Sequence, residues 1–189
     1  MSNENDTSPK DSCGLFGIYG NPEAADLTFL GLYSLQHRGE EAAGIVTSNN
    51  RQLVAHVSPG LVSEVFSGPI LETIKGDLSI GHVRYSTTGS SNAKNCQPMM
   101  VSLRGQQVAV AHNGNITNAP TLRKGLDKSG AIFQTSMDSE LLIHLLAKCD
   151  EEKFIDSLCK SVVQLKGAFC LLVLTKDTIY AIRDPSGFR

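Results

Sequence analysis

Apolar and polar positions along the chain follow two rhythms, one of period two and one of helical spacing, and together they predict a series of short elements. Residues 13–19 form a brief apolar run of strand length that breaks at Gly20-Asn21-Pro22. From Glu23, the positions Ala24, Leu27, Leu30, Tyr33 and Leu35 recur at helical spacing, and Gly39 ends the element. Residues 42–47 and 52–57 flank Asn49-Asn50 as a hairpin, and 61–75 reads as short helical turns broken at Gly68-Pro69. Residues 78–85 predict a strand that carries His82 and Arg84 on one face. The stretch 86–97 is rich in Ser, Thr, Gly and Asn without apolar periodicity, so it reads as a long functional loop. A second hairpin follows over 99–103 and 107–112 around Arg104-Gly105. Helices are then predicted from Asn118, an N-cap candidate with Pro120 two residues on, through Lys128, from about Asp138 with Leu141, Leu142, Leu145 and Leu146 inward, and around Phe154 to Leu165. Residues 169–174 and 178–182 make a third hairpin.

Three hairpins and a first strand, with the helices in two groups, predict an α+β fold of antiparallel layers rather than a doubly wound parallel sheet. Ahead of Cys13 lie twelve residues whose one large apolar side chain is Met1, so they bury almost nothing. Folded structure is therefore expected to begin beside a thiol. The final residues, Arg183-Asp184-Pro185-Ser186-Gly187-Phe188-Arg189, read as a turn leading onward, as in a piece of a longer protein.

Charge and cysteine usage narrow the function class. A net charge of −2 with no Lys/Arg cluster gives no footprint for nucleic acid or for a membrane surface. No run approaches the roughly 18 uninterrupted apolar residues of a membrane span, and the first residues lack a signal-peptide core, which points to the cytoplasm. Cys13, Cys96, Cys149, Cys159 and Cys170 are odd in number and show no C-x-x-C spacing, so free thiols are expected rather than disulfides or a metal site.

Cys13 has two readings. It is either a small buried hydrophobe on a first strand or, if the Ser12-Cys13 bond is cut, a nucleophile with its own base. The freed α-amine, with an ordinary pKa of about 7.7–8.0, would then sit on the residue that carries the thiol. Arg38 and Gly39 suit the cationic last turn and glycine cap of a helix. Arg84, at a strand end facing the polar loop, could grip a carboxylate through two parallel hydrogen bonds, and a plain surface arginine fits the position equally. Asn113-Gly114 reads as a tight turn or as an oxyanion hole built from a side-chain amide and a backbone N–H. Asp138 suits a helix N-terminus and could also hold an ammonium group. His56, His82 and His144 have no metal-like spacing and read as core or surface histidines.

Taken in order, Cys13-Gly14, Leu35-Gln36-His37-Arg38-Gly39, Gly81-His82-Val83-Arg84-Tyr85-Ser86-Thr87, His112-Asn113-Gly114 and Ser136-Met137-Asp138-Ser139-Glu140 resemble the glutaminase domain of class II glutamine amidotransferases. The resemblance covers residues 13–189. It is strongest to the branch whose second half is a phosphoribosyltransferase of purine synthesis. It implies a four-layer αββα sandwich of the N-terminal-nucleophile hydrolase type, with residues 1–12 a leader removed on maturation. It also implies glutamine as substrate, Cys13 as nucleophile and Asn113 with Gly114 as the oxyanion hole. Arg84 would bind the α-carboxylate, Asp138 and Gly39 the α-amino group; Arg38 would cover the nucleophile, and the loop 86–97 would close over glutamine. The phosphoribosyltransferase half, its magnesium and, in many members, an iron–sulfur cluster would lie beyond Arg189; the full-length relatives would be homo-oligomers, and no cofactor is implied for residues 13–189. Glu40 stands where the family usually carries Gln, outside the catalytic set. The alternative is a non-catalytic regulatory or assembly fragment of the same fold that keeps its leader.

Overall fold

The computed structural model describes residues 13–49, 51–85 and 93–189. The leader 1–12 and the first part of the polar loop, 86–92, lie outside the described residues. Two four-stranded antiparallel sheets form the centre. The first holds β1 (Gly14–Tyr19), β2 (Ala42–Ser48), β3 (Leu53–Pro59) and β4 (Leu78–Arg84) in the order β1-β4-β2-β3. The second holds β5 (Met99–Leu103), β6 (Gln106–Ile116), β7 (Gly167–Leu174) and β8 (Ile179–Arg183) in sequence order. Helices α1 (Ala24–Ser34), α2 (Val62–Val65) and α3 (Gly68–Thr73) belong to the first half of the chain. The second half contributes α4 (Ala119–Lys128), α5 (Asp138–Lys148) and α6 (Phe154–Val162).

Alternation along each strand divides the apolar residues among three cores, and these define four layers. Val108 and Val110 of β6 pack with Leu141, Leu142, Leu145 and Leu158 of the helices outside the second sheet. Ala43, Ile45 and Val83 pack outward with Ala25, Leu32 and Val65 on the first sheet's helical side. Between the sheets, Val46, Leu78 and Ile80 meet Ala109, Ala111 and Leu174, with Leu15 and Leu172 against them. Successive side chains of a strand point to opposite faces, so Ala109 and Ala111 face the other sheet while Val108 and Val110 face the helices. The result is the expected αββα sandwich.

Three local expectations change. The helical spacing from Glu23 places Leu30 and Tyr33 inward, yet they are 56% and 55% exposed, and the buried face is Ala24, Ala25, Thr28 and Leu32. The reason is close approach: a Cβ on Gly31 would stand 2.5 Å from the Phe16 ring of β1, so α1 lies against its sheet through small residues. Residues 36–38 then form a separate short 3-10 turn before Gly39. Second, Asn113-Gly114 is not a turn but part of β6, which runs on to Ile116 paired with β7. Third, Asn118 makes no side-chain cap; its amide ties the Gln164 carbonyl and the Lys166 N–H at 2.9 Å each.

Candidate active site

The pleat brings three of the singled-out side chains to one end of the space between the sheets. Leu15 faces that space, so Cys13, two residues earlier, faces it as well. Leu78 and Ile80 set the same face for His82 and Arg84 on the neighbouring β4, and Ala109 and Ala111 set it for Asn113 on β6. β1 and β4 both touch β6 across the gap. Cys13 is half-buried; its thiol donates toward the Tyr85 carbonyl at 3.7 Å and accepts from the Tyr85 N–H at 3.4 Å. The Arg38 side chain reaches over it and donates through Nε to the Cys13 carbonyl at 3.4 Å.

Gly39 lies flat against the backbone of Arg84, where any Cβ would stand 2.5 Å from the Arg84 carbonyl carbon. Gln36 holds this crossing by donating to the Gly39 carbonyl at 2.5 Å while its carbonyl accepts from the Val62 N–H at 2.6 Å. Arg84 donates through Nη1 to the Asn95 carbonyl at 3.1 Å. Its Nε stands 3.8 Å from the Glu41 carboxylate, an ion pair too long for a hydrogen bond. The Asn95 amide continues the chain of contacts to Ser136 Oγ at 3.2 Å. The described end of the polar loop therefore spans from Arg84 to the residues just ahead of Asp138.

Gly114 has φ of +134°, and a Cβ there would collide with the Ala168 carbonyl of β7, so only glycine suits this point of the strand. Among the described residues, the buried Oδ1 of Asn113 beside it has no hydrogen-bond partner. Such an orphan costs about 1–3 kcal/mol until a donor arrives. Asp138 is the first residue of α5, and its Oδ2 accepts from the Ile116 N–H at 3.1 Å, tying the helix start to the end of β6.

Several supporting residues have no role assigned to them by motif or spacing. Arg123 of α4 donates to the carbonyls of Thr135 at 3.1 Å and Met137 at 3.3 Å, with its guanidinium 3.9 Å over the Phe133 ring. Buried Glu140 accepts from the N–H groups of Gln134 and Thr135 and from the Thr135 hydroxyl, at 2.7 to 2.9 Å. Burial opposes its ionisation, but these donors hold its carboxyl below the usual range. Gln97 grips the backbone of His112. A polar residue near a motif is a weak sequence signal, and none of the three was visible in the spacing.

Two histidines are buried beside the site, His82 facing the space between the sheets and His112 on the helical face of β6 with Val108 and Val110. Burial pushes His82 down to about 3, helped by the neighbouring charges of His112 and Arg84. Burial likewise lowers His112 to about 4, where Asp138 pulls upward and Arg189 downward. Both are neutral near pH 7. All five cysteines are free thiols, and among the described residues no group of His, Cys, Asp and Glu is placed to hold a metal. No described helix is long and apolar enough to cross a membrane.

Two antiparallel sheets between helical layers, with a cysteine heading the first strand at the mouth of the inter-sheet space, define the N-terminal-nucleophile hydrolase fold. The family model "Glutamine amidotransferase domain" matches residues 82–189, more than half of the chain, and the chain belongs to that family. It is 44% identical over 189 residues to chloroplastic amidophosphoribosyltransferase 1 of Arabidopsis thaliana, covering 100% of this chain and 33% of the relative. It is 43% identical over 180 residues to the amidophosphoribosyltransferase of Staphylococcus aureus strain MRSA252, covering 95% of this chain and 36% of the relative. Among solved structures, the glutamine phosphoribosylpyrophosphate amidotransferase of B. subtilis, complexed with ADP and GMP, superposes with a TM-score of 0.88 at 43% identity. That match covers 93% of this chain and 38% of the other. The chain thus spans about a third of the length of these relatives.

Proposed function

We propose that this chain is the glutaminase part of an amidophosphoribosyltransferase, with Cys13 as the N-terminal nucleophile once residues 1–12 are removed. In this reading the freed Cys13 amine takes the thiol proton, and the sulfur attacks the glutamine side-chain amide carbon. The Asn113 amide and the Gly114 N–H stabilise the resulting oxyanion; one such donor typically contributes about 100- to 1000-fold in rate. The ammonium then returns its proton to the leaving nitrogen, ammonia departs, and water hydrolyses the thioester to glutamate, restoring the thiol. Arg84 binds the substrate α-carboxylate, and Asp138 with the Gly39 carbonyl binds its ammonium. Arg38 covers the nucleophile.

In the longer protein the ammonia would serve the formation of phosphoribosylamine from phosphoribosylpyrophosphate, at a magnesium-dependent phosphoribosyltransferase half of a cytoplasmic homo-oligomer. The observation that carries the reading is the convergence of Cys13, Arg84 and Asn113 on one end of the inter-sheet space, with Arg38 donating to the Cys13 carbonyl.

Intact mass and covalent labelling test it together. The mature protein is expected to begin at Cys13, and a glutamine-analogue electrophile is expected to label Cys13 alone among the five cysteines. A mature chain that keeps residues 1–12, or labelling that persists in Cys13→Ala, would overturn the proposal in favour of a non-catalytic fragment.

A further inference from the structure

β5 stops pairing with β6 at Met99, which opposes Val110. Continued by two residues, the same register would set residue 97 opposite His112. Residue 98 is proline, which has no N–H to donate, so the backbone ladder does not continue. The Gln97 side chain takes its place. Its Oε1 accepts from the His112 N–H at 2.7 Å, and its Nε2 donates to the His112 carbonyl at 3.4 Å. One primary amide thus reproduces the donor and acceptor pair of a strand residue, at the position next to Asn113.

The amide is fixed from the other side too. Gln97 is 7% exposed, and its backbone carbonyl lies against Gly44 of β2, where any Cβ would collide with it. The residue is wedged between the sheets with its backbone on one and its side chain on the other. Two positions earlier, Asn95 accepts from Arg84 and donates to Ser136. A segment of three residues therefore touches the strand of the oxyanion donors, the arginine and the approach to Asp138.

We propose that Gln97 is a positioning residue for the oxyanion donors Asn113 and Gly114, acting by extending the β5–β6 ladder through its side chain. The claim rests on the glutaminase reading above. Gln97 touches neither substrate nor sulfur; it fixes the backbone of β6 at the residue before Asn113. Its contribution is therefore to the transition state rather than to glutamine binding, since the carboxylate and ammonium are held by other elements.

The experiment uses the processed full-length protein. Gln97→Met keeps length and approximate volume and removes both hydrogen bonds. Glutaminase kcat is expected to fall about 10- to 100-fold with KM for glutamine within about twofold of wild type. Amide hydrogen exchange at His112, Asn113 and Gly114 is expected to quicken. Gln97→Glu, which keeps the acceptor for the His112 N–H, is expected to recover part of both losses. Unchanged kcat in Gln97→Met, or a fall in kcat with unaltered exchange at those three amides, would overturn the positioning role. A rise in KM equal to the fall in kcat would overturn it as well. A wild-type protein that begins at Cys13 but shows no glutaminase activity would sink the functional reading instead, and the exchange comparison would still decide whether Gln97 fixes β6.

Discussion

Arg84 is where the contacts of the site converge. It shares its backbone with the Gly39 crossing, its guanidinium donates to Asn95, and Glu41 balances part of its charge. Its side chain is 16% exposed, so a substrate carboxylate that met it would do so in a partly dry setting where the ion pair is stronger than in water. Hydrogen bonds to charged groups contribute about 1.5–3 kcal/mol, and each 1.4 kcal/mol is tenfold in affinity. Arg84→Ala should therefore raise the KM for glutamine about 10- to 100-fold while the melting midpoint moves little. Steady-state kinetics and a thermal melt check this, and a collapsed melt with unchanged KM would assign Arg84 to structure alone. Gly114 belongs to the same scale: with φ of +134° and the Ala168 carbonyl in the way, the position accepts no side chain.

At the scale of elements, the placement of Asp138 depends on the loop 131–137 rather than on α5 alone. Arg123 holds that loop from α4 through two carbonyls, and Glu140 holds it from α5 through three donors. Arg123→Ala removes both charge-assisted bonds and the stack on Phe133. The loop and the first turn of α5 should then loosen, raising KM for glutamine about tenfold with kcat within about twofold of wild type. Kinetics of that variant would refute the link if KM stayed fixed. Elements were also where the sequence was most and least legible. The helices follow from periodicity because each buries one face, as Leu141, Leu142, Leu145 and Leu146 do, and the strands because they are short apolar runs whose alternate residues, such as Ile45 and Val46, enter different cores. The inward face of α1 was misjudged because its contact is made by Ala24, Ala25 and Gly31, whose small size looks like absence of signal. The run of β6 through Asn113-Gly114 was hidden because its partner β7 is more than fifty residues away, and a local pattern cannot show such pairing. Cys13, Arg84, Asn113 and Asp138 were singled out because each follows or opens a recognisable element. Gln97 was not, since its role depends on which strand its side chain continues.

The whole molecule carries a consequence of putting imidazoles between its layers. Each of His82 and His112 belongs to a different sheet, and among the described residues the two buried ring nitrogens of His82 have no hydrogen-bond partner, with only the His112 backbone near enough to favour its charged form. Folded, they stay neutral down to about 3 and about 4, against an ordinary value near 6.5 in the unfolded chain. Below pH 6.5 the unfolded state therefore takes up protons that the folded state refuses. Stability is fully present above that pH and declines as pH falls from about 6.5 toward 4. Between pH 7 and pH 5 the loss should amount to about 2 kcal/mol for each histidine. Asp138 facing His112 softens the effect, and Arg84 and Arg189 sharpen it. Glu140 and Asp184 do not mimic it in this window. Burial of Glu140 and Asp184 favours their neutral forms, but the backbone donors around each hold its carboxyl below the usual range, so their contribution is lost at lower pH. Denaturant unfolding at pH 7, 6 and 5 should show the midpoint falling steadily, and His82→Gln should flatten the slope by close to one proton. A midpoint that holds constant from pH 7 to 5 would mean that water or a counter-charge reaches the imidazoles, His82 between the sheets and His112 on the helical side of β6, and the dry surroundings described for them would be wrong.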